Sequence, residues 1–159
     1  MLTAAQSAVL KADILIDPAF LAVPQGTDGA YEIAAAYNLL ALPDFWVWRT
    51  VVSKSELVQS VSVDGTTFNW TGAGFITRSQ GERDAWRELF GDRGICNASL
   101  ANVRQAFTDI FSGSTVPAPA NRIHLATVAR RKAKRAEKLF ATGTGSTAAP
   151  GIMTFEGDL

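Results

Sequence analysis

The chain has 159 residues, with 15 Lys and Arg against 15 Asp and Glu, a length that suits one compact domain plus an appendage and needs neither disulfide nor metal to hold a core. No apolar run approaches the roughly 20 residues of a membrane-spanning helix, the first residues show neither a basic n-region nor an apolar h-region, and folding in a cytoplasm is expected. One cysteine and one histidine exclude a disulfide framework and the common structural zinc sites.

The charge is placed unevenly. Residues 1–121 carry 8 Lys and Arg against 12 Asp and Glu, residues 122–142 carry 7 against 1, and the last seventeen carry 0 against 2. An acidic body, a basic segment and a mildly acidic tail bear on partners more than the net charge of zero does.

In chain order, Thr3-x-x-Gln6 is a capping box opening a first helix, with Ala5, Val9, Ala12 and Ile16 as its apolar face. Asp17-Pro18 ends it, because the residue before proline is pushed out of the α region. Pro24-Gln25-Gly26 is a break. Asp28 is the expected N-cap of a second helix through Tyr31, Ile33, Ala34, Tyr37 and Leu40, halted by Pro43. The aromatic cluster Phe45-Trp46-Val47-Trp48-Arg49 follows, and Ser53-x-x-Glu56 starts a short helix. Asp64-Gly65 between alternating Val61, Val63 and Thr66, Phe68, Trp70 predicts a small β-hairpin, or else a long extended loop. Gly72-Ala73-Gly74 reads as a flexible break.

Thr77-x-x-Gln80 is the expected cap of a helix carrying Trp86, Leu89 and Phe90, with Gly91 placed to end it. Asn97 is the expected cap of the next, striped by Leu100, Val103, Phe107, Ile110 and Phe111 and closed by Gly113. After a Pro-bearing linker, the longest helix is predicted over 121–141. Residues 143–151 have the Gly/Thr/Ser composition of a linker. Such a tail buries too little by itself to offset its ordering entropy, so Ile152, Met153 and Phe155 are expected to rest on a neighbouring copy. The fold class is mainly α: a helical bundle with a small β-hairpin or long loop and an extended C-terminal arm, divided into a helical domain 1–142 and an arm 143–159.

Catalytic, cofactor and metal sites are not predicted. Cys96 and His124 are formally a nucleophile–base pair, but Cys96 has no local signature and reads as a small semi-buried residue, and His124 as a partly exposed surface residue. Gly72-x-Gly74 lacks both the third glycine of a dinucleotide fingerprint and the Lys-Ser/Thr of a phosphate loop. Asp84 and Arg87 read as an ion pair on a solvated helix face. In the basic run, Arg131, Lys134, Arg135 and Lys138 share one helical face. That face reads as a solvated helix end, as a surface for protein, or as a surface for DNA phosphates. Trp46, Trp48 and Arg49 read either as core or as interface anchors.

Three stretches carry a family likeness: residues 77–90, with Glu82-Arg83-Asp84-Ala85-Trp86-Arg87-Glu88-Leu89-Phe90; residues 97–107, with Asn97-Ala98-Ser99-Leu100-Ala101-Asn102-Val103; and residues 135–145, with Glu137-Lys138-Leu139-Phe140-Ala141-Thr142-Gly143-Thr144-Gly145. Together with Leu2-Thr3-Ala4-Ala5-Gln6 and Pro43-Asp44-Phe45-Trp46-Val47-Trp48-Arg49-Thr50, they resemble small virion proteins of tailed bacteriophages, and within these a head–tail connector, the adaptor beneath the portal. The resemblance implies a non-enzymatic structural protein that forms a homo-oligomeric ring. It implies portal and tail or neck proteins as partners, non-specific proximity to packaged DNA, no membrane, and a place in the virion after assembly in the host bacterial cytoplasm. Expected subunit or partner contacts are Trp46, Trp48, Arg49, Arg131, Lys134, Arg135, Lys138, Ile152, Met153 and Phe155. Another virion role, such as head decoration or tail completion, and a DNA-binding packaging or regulatory factor are the alternatives.

Overall fold

The computed structural model describes residues 2–24, 26–71, 74–114 and 116–159; Gln25, Gly72 and Ala73, read above as parts of breaks, lie outside the described residues. The chain is α-rich, with short strands, and divides into two units: Met1–Val47 with Lys132–Leu159, and Trp48–Arg131. The division expected at residue 142 is therefore corrected, because the C-terminal segment is part of the first unit.

In that first unit, helix α1 (Ala4–Ile16) opens on the Thr3/Gln6 capping box and stops at Asp17 in extended conformation before Pro18. Asp17 Oδ1 then accepts from Ala19 N–H and starts a single 3-10 turn, Pro18–Phe20. Helix α2 (Thr27–Asn38) takes Gly26 as its N-cap and leaves Asp28 in the first turn. Strand β1 (Trp46–Trp48) begins in this unit.

The long helix expected over 121–141 is broken. It ends at Val128, gives way to strand β4 (Arg130–Lys132), which pairs with β1, and resumes as helix α7 (Arg135–Phe140). Residues 130–134 offer Ala133 as their one apolar side chain, too little for a buried helix face. The extended backbone instead lets Ala133 N–H donate to Phe45 O (2.8 Å) and Ala133 O accept from Ala41 N–H (2.9 Å). Ala133 is then buried with Val47 and Met153. Lys134 N–H is bonded by Glu137 Oε2 at 2.8 Å, which starts α7.

The C-terminal segment is not an arm reaching outward. Thr142 and Ile152 exchange backbone hydrogen bonds (2.9 and 3.0 Å), Trp46 N–H donates to Gly145 O (2.6 Å) and Gly151 N–H donates to Trp46 O (2.8 Å). The glycines of 143–151 have a steric purpose. A Cβ on Gly145 would lie 2.1 Å from Phe45 Cδ2, and one on Gly151 would lie 2.7 Å from Phe45 Cε1. The Phe45 ring thus fits between two backbones that only glycine lets come so close. What reads as linker composition is a pair of jaws.

The second unit contains β2 (Val52–Ser53), α3 (Lys54–Gln59), α4 (Gln80–Glu88), β3 (Ile95–Cys96), α5 (Ala101–Ile110) and α6 (Ala118–Val128). Strands β2 and β3 are antiparallel, with Val52 opposite Cys96 and Ser53 opposite Ile95. Ser53 and Glu56 form the expected capping box on α3. On α4 the box is Ser79/Glu82 rather than Thr77/Gln80. Asn97 turns the chain early, its oxygen accepting from Ser99 N–H at 3.0 Å, and α5 starts only at Ala101.

The core of this unit is aromatic. Trp86 packs edge-on against Phe111 and Phe90, with ring centroids 5.4 and 4.8 Å away, and Phe68 stacks on it at 6.0 Å. Asp64-Gly65 does make a turn, with Ser62 N–H donating to Thr66 O at 2.9 Å, but no hairpin strands flank it. The stretch pairs with α6 instead. Asn121, fully buried, accepts from Asn69 N–H (2.8 Å) and donates to Asn69 O (3.1 Å). The long-loop reading therefore holds, because the Asn121 side chain of α6 gives Asn69 the backbone partners that a second strand would have supplied.

Gly145→Ala is expected to cost about 1–3 kcal/mol through overpacking against Phe45, whereas Gly81→Ala, where nothing lies within 4 Å, is expected to be neutral or slightly stabilising. Equilibrium urea unfolding of both variants checks this; equal midpoints would contradict the jaw geometry.

Candidate interaction surfaces

The charged side chains expected to face partners are largely engaged within their own chain. Arg135, at the first position of α7, lies with its guanidinium carbon 5.0 Å from the Phe20 ring centroid and 4.4 Å from that of Tyr37. Its Nη2 donates to Asp13 Oδ2 at 3.1 Å and also to Asp17, while the Tyr37 hydroxyl donates to Asp13. Burial pushes the Tyr37 hydroxyl up, and its bond to Asp13 reinforces this, so it stays a donor. The Asp17 carboxyl is held below its ordinary range, first by Ala19 N–H and then by Arg135. Two aromatic rings stack on the guanidinium while one of its nitrogens, Nη2, meets two carboxylates, a cation–π and ion-pair site suited to the flat arginine head.

Its neighbours follow the same logic. Lys134 pairs with Asp158, and Lys132 pairs with Asp44 at 2.7 Å and lies 5.9 Å from the Trp46 ring. Lys138 donates to Pro43 O at 3.3 Å. In the second unit Arg130 pairs with Asp64 at 3.3 Å, Arg49 with Glu56 at 2.7 Å, and Arg104 stacks 4.9 Å from the Trp48 ring. Arg131 stands in β4, half-buried. The four basic residues read as one helical face are therefore split between a strand and the start of another helix.

The apolar contacts expected on a neighbour are likewise made at home. Met153 is 9% exposed, buried with Val47 and Ala133, and Phe155 packs edge-on against Phe140 at 5.6 Å. Ile152 pairs with Thr142 and keeps its side chain exposed. The last residues are tied down by polar bonds, among them Gln6 Nε2 to Thr154 O (3.2 Å), Gly157 N–H to Glu137 Oε1 (3.4 Å) and Leu159 N–H to Asn38 Oδ1 (2.9 Å). The expectation that this segment lies on another subunit is corrected: its own unit offers the apolar bed.

His124 is fully buried, not at the surface; its Nε2 meets Leu57 O at 2.8 Å and its Nδ1 meets Thr66 Oγ1 at 3.1 Å. Both ring nitrogens are used in joining α6 to α3 and the loop. Cys96 is buried, and burial pushes its thiol up to about 11, with Arg49 pulling slightly the other way. Such a thiol stays protonated at neutral pH and is a poor nucleophile. Among the described residues no group of three His, Cys, Asp or Glu is placed to hold a metal ion.

Sequence reasoning missed the surface that the structure leaves bare. Helix α1 has no buried residue. It rests on its unit through half-buried Gln6, Leu10, Asp13 and Ile14, and the stripe read as its apolar face, Ala5, Val9, Ala12 and Ile16, points to solvent. Leu15 is 63% exposed, Tyr31 74% and Leu42 88%, with Leu21, Leu39 and Leu40 also exposed. A cleft of about 680 Å³ lies in the same unit, lined by Leu39, Leu40, Leu42, Leu139 and the Arg135 cluster. The signal was the weak contrast of α1, whose two charges, Lys11 and Asp13, cannot say which side faces inward.

Compared with protein-family models, curated proteins and solved structures, the chain matches none.

A carboxyl whose folded value is depressed stabilises the fold above its unfolded value and loses that contribution as pH falls through the folded one. For Asp17, below an ordinary value of 3.8, the contribution is present at neutral pH and lost below that value. Arg135→Gln is expected to destabilise the protein at pH 7, since two partly exposed carboxylates lose their cation. The gap to wild type is expected to narrow as pH drops below 3.8. Urea midpoints measured from pH 7 to pH 3 check this; a gap that stays constant across that range would contradict it.

Proposed function

We propose that this chain is a structural subunit of a tailed-phage particle, a helical head–tail connector that joins portal to tail in copies of itself and keeps the DNA channel continuous. The observation that carries the reading is the bare apolar surface of the first unit. Free-standing soluble proteins rarely leave a whole helix without a buried residue while exposing Leu15, Ile16, Leu21 and Tyr31 around it; surfaces of that kind mark places where another protein sits. The likeness of residues 77–90, 97–107 and 135–145 to small virion proteins supports the particular assembly. The function is mechanical, so what matters is a rigid body with sticky faces. The clasped C-terminal segment and the Arg135 cluster supply rigidity in one unit, and the aromatic core supplies it in the other.

The alternative of a DNA reader draws less support, because Arg130, Lys132, Lys134 and Arg135 each have a carboxylate partner in their own chain. Cations committed in this way release few counterions on meeting phosphate.

The test is location. Cryo-electron microscopy of particles carrying a tagged version is expected to place the tag at the junction of head and tail, and particles assembled without the protein are expected to be filled heads lacking tails. A tag spread over the capsid faces or absent from the particle would overturn the proposal.

A further inference from the structure

We infer that the α2 surface of one copy docks on the Trp48–Arg131 unit of a second copy, with Tyr31, Asp28 and Glu32 on one side and Lys54, Arg93 and the groove at Phe90 on the other. This rests on the reading of the chain as a subunit of an assembly, and it names the residues that join two copies.

The two units carry opposite charge. Residues 1–47 with 132–159 hold 5 Lys and Arg against 8 Asp and Glu, a net −3, and residues 48–131 hold 10 against 7, a net +3. Surfaces of opposite sign on one chain make each copy complementary to the next. Most of the basic run 130–138 does not supply that complementarity, since Arg130, Lys132, Lys134 and Arg135 pair with carboxylates of their own chain, so the contact rests on other charges.

On α2, Asp28, Tyr31, Glu32, Ala35 and Leu39 recur at three- and four-residue spacing and all are exposed, which makes them one outward stripe. Among the described residues the Asp28 and Glu32 side chains have no hydrogen bond and no ion pair. Two carboxylates one turn apart, about 6 Å along the axis, repel each other until a cation meets them. Tyr31 stands beside them, a large amphipathic ring of the kind that anchors interfaces.

In the other unit, the register of β2 and β3 continues to Lys54, whose N–H donates to Gly94 O at 2.8 Å. This places Lys54 opposite Gly94, the residue after Arg93. Next to them is a shallow groove of about 360 Å³ lined by Thr50, Phe90, Ile95 and Asn97, with Asp92 and Arg93 on its rim. The Lys54 ammonium lies 5.9 Å from the Phe90 ring centroid, and among the described residues exposed Arg93 has no ion pair. Asp92 offsets one cation, so the rim is net +1 where the stripe is net −2. A Tyr31 ring laid over half-buried Ile95 at the mouth of the groove brings both carboxylates to the two cations. The contact is heterologous: each copy uses a patch of its first unit on one neighbour and a patch of its second unit on another, and leaves one of each open for the next copy.

The experiment uses the full chain, with native mass spectrometry and light scattering as readouts and far-ultraviolet circular dichroism to verify folding. Wild type is expected to self-associate, more weakly at high salt. Asp28→Lys with Glu32→Lys, Lys54→Glu with Arg93→Glu, and Tyr31→Ala alone are each expected to weaken association at least about tenfold. An equimolar mixture of the two charge-reversed proteins is expected to associate again in 1:1 proportion, because each then offers what the other lacks. Charge-reversed variants that associate like wild type, or a mixture that stays apart, would overturn this contact while leaving the assembly reading standing. A wild type that stays monomeric would overturn association between copies, and the position of the tag in particles then decides the virion role separately.

Discussion

The first unit depends on one guanidinium. Arg135 lies between Phe20 and Tyr37 and holds Asp13 and Asp17, so one side chain ties α1, the turn after it, α2 and α7 together. The tie is polar where a small unit would usually rely on apolar burial. Helix α1 contributes no fully buried residue, so Arg135 adds to the hold of half-buried Leu10 and Ile14 and of the Gln6 bond to Thr154 O. A cation of this kind is costly to desolvate, and two carboxylates, the accepting Tyr37 oxygen and two ring faces offset that cost.

A helix held by a polar pin on one side is free to present apolar residues on the other. Val9, Leu15 and Ile16 face outward from a helix whose attachment does not need them. The same economy is seen at the C-terminal segment, where Gly145 and Gly151 close on Phe45 and Met153 completes a small apolar cluster with Val47 and Ala133. Both devices stiffen the unit without using its outer apolar surface. On the proposed reading, that surface is where a neighbour would add burial at about 25 cal/mol per Å².

Much of this was legible in the sequence where the cause is local. The Thr3/Gln6 and Ser53/Glu56 boxes start helices because a cap needs only three or four neighbouring residues, and Asp17-Pro18 stops one for an equally local reason. The Trp86, Phe107, Ile110 and Phe111 spacing foretold the core of the second unit. Where the deciding partner is distant, the reading failed. The break in 121–141 depends on Phe45 and Ala41 accepting and donating to Ala133, some ninety residues away in sequence. The hairpin around Asp64-Gly65 was lost to Asn121. The glycines of 143–151 looked like a linker because nothing nearby shows that an aromatic ring fills the space they leave. The same limit governs the exposed surface of the first unit: the α1 stripe was found as an apolar face, but periodicity gives a face and not its direction.

Hydroxyl-radical footprinting of the free protein and of the protein in assembled particles tests the central claim most directly, that the bare face of the N-terminal helices is covered by a neighbour. Leu15, Ile16, Leu21 and Tyr31 are exposed in the chain alone, so each is expected to label readily in the free protein and to be strongly protected in the particle, with buried Trp86 unreactive in both. Equal labelling of those four residues in the free and assembled states would contradict the account.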